Sequence, residues 1–112
     1  MWPIDFTDEY QAWYSALPED AREAIDGVIG ALRDLGPELG RPYADTLKGS
    51  DNPKLKELRI QHKGRPIRIA FLFTRNRHGV LLCGGIKDGA KDKVFYPRFI
   101  GEAEKLITEN NL

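Results

Sequence analysis

The sequence predicts an α+β fold in which helices and sheet are segregated along the chain, and three observations carry that prediction. Two apolar stripes at helical spacing come first, between residues 8 and 35. Short apolar segments joined by tight turns follow, between residues 55 and 86. A last helical stripe closes the chain from about residue 97. The expected order is (β)-α-α-β-β-β-β-α, read as a single domain over residues 1–112 with no repeat and no linker.

Each element has its own reason. Trp2, Ile4 and Phe6 alternate, so residues 2–6 read as a short strand, and Pro3 suits a sheet edge rather than its centre. Thr7 is placed to cap the following helix, with Asp8 and Glu9 at its positive end. Tyr10, Trp13, Tyr14 and Leu17 are carried by that helix. Pro18, Glu19 and Asp20 open a second helix with Ala21, Ile25, Val28, Leu32 and Leu35 as its core stripe, and Gly36-Pro37 ends it. Gly27 and Gly30 either weaken this helix or admit a close neighbour. Residues 36–54 are turn-rich, with one extended piece around Thr46-Leu47-Lys48.

Lys63-Gly64 reads as a two-residue hairpin turn with Gly64 at positive φ. That register sets Leu58 opposite Ile69 and Ile60 opposite Ile67 on one face, and Arg59 opposite Arg68 on the other. Like charges opposed across a ladder are destabilising, so the arginine pair asks for an anion. After a tip at residues 75–79, the strand 80–86 is apolar on both faces, which predicts a central place in the sheet. Gly84-Gly85 within it marks a bulge or a close backbone approach. A polar loop over 87–93 leads to the last helix, expected to start near Pro97 and to bury Phe99, Ile100, Ala103, Leu106 and Ile107.

Composition excludes several classes. With 41% apolar and 30% charged residues the chain has the make-up of a globular protein. No apolar run is long enough to span a bilayer, so no membrane role is expected. Residues 1–20 contain no Lys or Arg, which argues against a signal peptide. One cysteine, Cys83, sits in an apolar strand and allows no internal disulfide, and a cytoplasmic location is expected. His62, His78 and Cys83 do not make a metal-ligand set, and no glycine-rich loop enters a helix, so neither metal nor cofactor is expected.

The net charge of zero hides a segregation. Residues 1–40 hold two bases against nine acids, residues 41–98 fourteen bases against five acids, and residues 99–112 one base against three acids. A middle segment at +9 is a surface for a polyanion. Arg59 and Arg68 share one face, Lys87 ends the next strand on the face shared by Leu81 and Cys83, and Lys91, Lys93, Tyr96 and Arg98 follow closely. Arginine forks match phosphate geometry and can stabilise a phosphorane-like transition state. Tyr96 could stack on a base or hydrogen-bond a phosphate, or serve as a core aromatic. For the arginines the alternative is a cross-strand network with Glu57. His62 reads as a solvated turn residue more than as a general base.

Five segments resemble a known family: RPYADTLKGS at 41–50, LKELR at 55–59, GRPIRIAF at 64–71, LLCGGIK at 81–87, and Tyr96 before the last helix. Together they are similar to the phage-derived, HigB-like branch of the RelE/ParE toxin superfamily, over nearly the whole chain. The resemblance implies a RelE-like fold, an antiparallel sheet of three to five strands flanked by helices. It implies a type II toxin acting as a ribosome-dependent mRNA endoribonuclease, metal-independent, through attack of the ribose 2′-oxygen to leave a 2′,3′-cyclic phosphate. Carried over, Arg59, Arg68, Lys87, Lys91 and Tyr96 form the catalytic set. Lys54, Lys56, His62, Arg65, Arg75, Arg77, Lys93 and Arg98 are the RNA-binding residues. The implied partners are a HigA-like helix-turn-helix antitoxin, the ribosome and its mRNA, and operator DNA through the antitoxin. Glu57 stands where the RelE nucleases have a base, and the tail lacks the histidine of some HigB toxins. Two other readings stay open: a gyrase-directed toxin of the ParE type, and a non-catalytic module binding RNA or a protein partner.

Overall fold

A five-stranded sheet covered by helices on both faces organises the chain, and the computed structural model describes residues 1–89 and 91–112. In chain order the elements are β1 (Ile4–Phe6), α1 (Asp8–Ser15), α2 (Glu19–Leu35), a 3-10 turn (Gly36–Glu38), β2 (Ala44–Thr46), β3 (Lys56–His62), β4 (Arg65–Phe73), β5 (Gly79–Ile86) and α3 (Asp92–Glu109). The sheet order is β1-β5-β4-β3-β2, with β1 parallel to β5 and the other neighbours antiparallel. This is the α+β architecture expected. β1 is an edge, as Pro3 required, and the doubly apolar β5 lies inside the sheet.

The Lys63-Gly64 turn fixes the register on which the site depends. Both residues take positive φ, 52° and 74°, the turn whose twist matches that of the strands it joins. Leu58 then pairs with Ile69, Arg59 with Arg68 and Ile60 with Ile67. Because side chains alternate between faces, Leu58, Ile60, Ile67, Ile69 and Phe71 pack against Ile25, Ile29 and Leu32 of α2. On the opposite face, Leu55, Ala70, Leu72, Leu82 and Cys83 pack against Phe99, Ile100, Ala103 and Leu106 of α3. Glu57, Arg59 and Arg68 belong to this second face.

Thr7 both caps α1 and ties it to the sheet. Its Oγ1 accepts the Tyr10 N–H at 3.0 Å, and its hydroxyl donates to the Leu82 carbonyl at 2.6 Å. That anchor seats Trp13 directly on Gly84, where a Cβ would lie 2.3 Å from the indole. Phe95 covers Gly85 from the other face, 3.1 Å from where its Cβ would be. The two glycines therefore mark close approach on both sides of β5.

Three expectations are corrected. Of the two readings of Gly84-Gly85, the close approach holds and the bulge lies beside them: Ala70 pairs with Cys83 but Phe71 pairs with Leu81, leaving Leu82 as the extra residue. Leu81 consequently packs toward α2 while Cys83 packs toward α3, so the two do not share a face. Next, α3 begins at Asp92, and Pro97 sits inside it. The proline ring forgoes one helical hydrogen bond, but Phe95 stacks on Phe99 at 5.0 Å, one helical turn apart, which gives the earlier turn its own packing reason. Lys93 is thereby helical rather than part of a loop. Last, α2 buries Ala21, Ile25, Ile29 and Leu32, whereas Leu35 is exposed and Val28 only partly covered. Gly27 and Gly30 face open space, so no close neighbour explains them.

Candidate active site

Glu57 is the centre of the candidate site. It is only 4% exposed, and Arg68, its diagonal neighbour across the β3–β4 ladder, is 6% exposed; these are the two buried ionic side chains of the sheet. Alternation on β3 puts Glu57 and Arg59 on one face, and Arg59 Nη1 lies 3.2 Å from Glu57 Oε2. Arg68 Nε comes to 3.7 Å from Glu57 Oε1. The first turns of α3 bring Tyr96 over the same carboxylate: its hydroxyl donates to Glu57 Oε1 at 2.8 Å and accepts from Arg68 Nε at 3.3 Å. Arg68 is held further by a bond from Nη1 to the carbonyl of Ile67, 3.1 Å. The opposed arginines thus share one buried acid.

The energetics of this arrangement pull in two directions. Burial pushes the Glu57 carboxyl above its ordinary 4.5, outweighing the Tyr96 hydrogen bond and the fields of Arg59 and Arg68, which act the other way. Burial also raises the Tyr96 hydroxyl, with Glu57 adding to the rise and the Arg68 hydrogen bond opposing it. At the rim, Lys87 Nζ contacts Asp92 Oδ1 and stands 5.4 Å from the centre of the Tyr96 ring. Lys87, with smaller help from Arg68 and Arg59, holds the Asp92 carboxyl below its usual range. Cys83 is buried and its thiol is pushed up to about 12, which removes it as a nucleophile.

One wall of the site comes from β2. Asp45 pairs with Glu57 across the β2–β3 ladder, so the two carboxylates are cross-strand neighbours. Arg41 Nε and Nη2 both donate to Asp45 Oδ2, at 2.9 and 2.7 Å, and Asp45 Oδ1 accepts the Thr46 N–H at 2.9 Å. Between this wall and Tyr96 runs a groove of about 240 Å³, reached by Arg41, Asp45, Lys48, Arg59 and Asp92. Glu57 forms part of its floor.

The sequence-derived residues divide by face and by end. Arg59, Arg68, Lys87 and Tyr96 come together. Lys91 precedes α3 as its exposed N-cap, and Lys93 and Arg98 are exposed on the helix. His62 and Arg65 lie on the α1–α2 face instead: His62 stands 3.2 Å from Asp20, and Arg65 binds Asp88 at 2.8 Å. Lys56 reaches the Pro37 carbonyl at 3.3 Å on that side too. Lys54 and Arg75 border a hollow at the other end of the sheet, beyond Phe73, the last residue of β4, which lies about 17 Å from Arg68 at ~3.4 Å per residue. Arg77 covers the Trp2 ring there, at 4.7 Å. Asp92, Asp45 and Arg41 are residues that sequence reasoning missed, and Glu57 reads from the sequence only as a structural partner of the arginines, not as a site residue. For Arg41 and Asp45 the one available signal is their spacing of four in a turn-rich segment whose extended piece is expected around residues 46–48, whereas β2 spans Ala44–Thr46.

Among the described residues no helix is long and apolar enough to cross a membrane. The family described as "Phage derived protein Gp49-like (DUF891)" matches residues 12–108. The chain is 33% identical over 110 residues to "Putative toxin HigB2" of Mycobacterium tuberculosis, which covers 97% of this chain and 54% of that protein. It is 41% identical over 81 residues to "Putative toxin HigB3" of the same organism, 72% of this chain and 69% of that one. The chain thus spans about half the length of the first of these relatives. In fold it is similar to the isolated Escherichia coli RelE toxin, with a TM-score of 0.60 at 14% identity over 76% of this chain and 83% of RelE. It is also similar to a chain of the intact Escherichia coli RelBE toxin–antitoxin complex, with a TM-score of 0.58 at 14% identity over 76% of this chain and 95% of that one. A family match over most of the chain, two toxin relatives and the RelE fold agree. The chain belongs to the Phage derived protein Gp49-like family, is similar in sequence to HigB toxins and has a RelE-like fold.

Proposed function

We propose that this chain is the toxin of a type II toxin–antitoxin pair and cuts translated mRNA on the ribosome, without a metal. The observation that carries the reading is a buried carboxylate shared by two arginines and a tyrosine, set in the floor of an open groove lined by Arg41, Lys48 and Arg59 as well as by Asp45 and Asp92. The reaction is attack of a ribose 2′-oxygen on the adjacent phosphorus with loss of the 5′-oxygen, leaving a 2′,3′-cyclic phosphate and a 5′-hydroxyl. It needs a base for the 2′-hydroxyl proton, positive charge for the phosphorane and a proton for the leaving oxygen.

Glu57 supplies the base that arginines cannot. A carboxyl lifted above 4.5 by burial is a better proton acceptor than a solvated one. When it takes the proton it loses its hold on Arg59 and Arg68, whose charge passes to the phosphorane as that charge develops. Tyr96 lies within reach of both groups and positions them. Lys87, turned toward Asp92 in the free protein, or the exposed Lys91 protonates the leaving oxygen. The ribosome fixes the RNA in an attacking geometry, which can itself supply several orders of magnitude. The exposed cations Lys93 and Arg98 lie on the same helix for RNA backbone contacts, whereas Lys54, Arg75 and Arg77 serve a second contact at the far end of the sheet. The partner is an antitoxin of the HigA type, and the setting is the cytoplasm where ribosomes work.

Primer extension on a translated transcript tests the reading. Wild type should produce strong stops within codons, and Arg68→Ala should reduce them by about 10²-fold or more. Arg59→Ala, at a half-exposed position, should lose a comparable factor without disturbing the core. Equal cutting by wild type and both variants would sink the assignment.

A further inference from the structure

The wall opposite Tyr96 carries chemistry that phosphate binding does not use. Asp45 stands across the ladder from Glu57, so it lies one cross-strand spacing from the proposed base. Its carboxylate is anchored rather than free. Oδ2 takes both bonds from Arg41 and Oδ1 takes the Thr46 N–H, leaving acceptor capacity on Oδ1 alone. A phosphate held at Arg59 would put an adjoining base in the same groove, between Asp45 and the Tyr96 ring.

Resting on the reading of this chain as an RNA-cleaving toxin, we propose that Asp45 reads the base beside the scissile phosphate, admitting bases with an exocyclic amino group and turning uracil away. The chemistry is one of donors and acceptors. Adenine, cytosine and guanine each offer an amino group on the Watson–Crick edge to a fixed acceptor. Uracil offers one ring N–H flanked by two carbonyl oxygens, and those oxygens face the carboxylate with like partial charge. An ionised carboxylate is acceptor-only, and the hydrogen bonds from Arg41 and the Thr46 N–H hold the Asp45 carboxyl below its usual range, further from protonation. Because Arg41 and Thr46 fix the carboxylate in place, it cannot turn aside for the wrong base.

The test maps 5′ ends on a translated reporter in which each position of one codon is varied through all four bases. At one position wild type should cut the uracil variant about tenfold less than the other three. Asp45→Asn, whose amide can donate to a uracil carbonyl, and Asp45→Ala should both bring that ratio to near one. A wild type that shows no discrimination against uracil at any position overturns the proposal, as does an unchanged ratio in both variants. A wild type that cuts no translated RNA defeats the cleavage reading first and the Asp45 proposal with it.

Discussion

Glu57→Ala will cost about 3–5 kcal/mol of folding stability, the penalty for stripping one partner from a buried ionic cluster. The side chain it leaves behind, Arg68, is 6% exposed and faces Arg59 across the ladder. Without the carboxylate, two guanidinium groups oppose each other and Arg68 keeps only the Ile67 carbonyl and the Tyr96 hydroxyl as partners. Urea denaturation followed by circular dichroism reads the loss directly. Glu57→Gln should cost less, because its one amide oxygen can still accept from Arg59 while its NH2 donates to the Tyr96 hydroxyl oxygen.

The glutamine variant also isolates the titration. The folded-state carboxyl is raised above 4.5, so the native protein holds that proton more firmly than the unfolded chain does. The stabilising contribution is fully present below about 4.5 and is lost as pH rises through the folded-state value. Asp20, lowered to about 2 by the Lys63 and His62 hydrogen bonds, contributes with the opposite sign, gaining as pH rises from about 2 toward 4. The difference in stability between wild type and Glu57→Gln removes Asp20 and leaves Glu57. That difference should decline with rising pH in the window just above 4.5. A flat difference would mean that this carboxyl does not titrate as a buried group.

Gly84→Ala is the second large effect, a loss of about 3 kcal/mol at the upper end of overpacking costs. The added methyl would sit 2.3–2.4 Å from three atoms of the Trp13 ring. That indole cannot retreat easily, since it stands 5.8 Å from the Tyr10 ring and α1 is pinned to β5 through Thr7. Gly27→Ala is the matching control. Its Cβ would meet nothing within 4 Å on an exposed helical face, so stability should rise by roughly 0.5–1 kcal/mol. Thermal melts of the two variants should therefore move in opposite directions. A Gly84→Ala protein that melts with wild type would show that Trp13 does not lie on β5 in solution.

The division between what was legible and what was not follows the range of the forces. Local chemistry was readable: the Lys63-Gly64 turn set the β3–β4 register, Thr7 announced a cap, Pro3 an edge strand, and the charge segregation pointed to the middle of the chain. The opposed arginines were predicted from that turn alone. Which group lies between them was open, because alternation puts Glu57 on their face but cannot say whether it turns to them or to solvent.

By itself, then, the sequence determined the α+β class, the hairpin register and the cationic pair, since each rests on backbone preferences of a few neighbouring residues. Only the tertiary structure decided the rest. The Leu82 bulge separates Leu81 from Cys83, the packing of Phe95 on Phe99 carries α3 back past Pro97, and that earlier start lowers Tyr96 onto Glu57. The placing of β2 beside β3 brings Asp45 opposite Glu57, in a turn-rich segment whose extended piece the sequence places slightly later, around residues 46–48. Each of these depends on the shape of a surface assembled from distant parts of the chain. The burial that lifts the Glu57 carboxyl exists only once those parts have met.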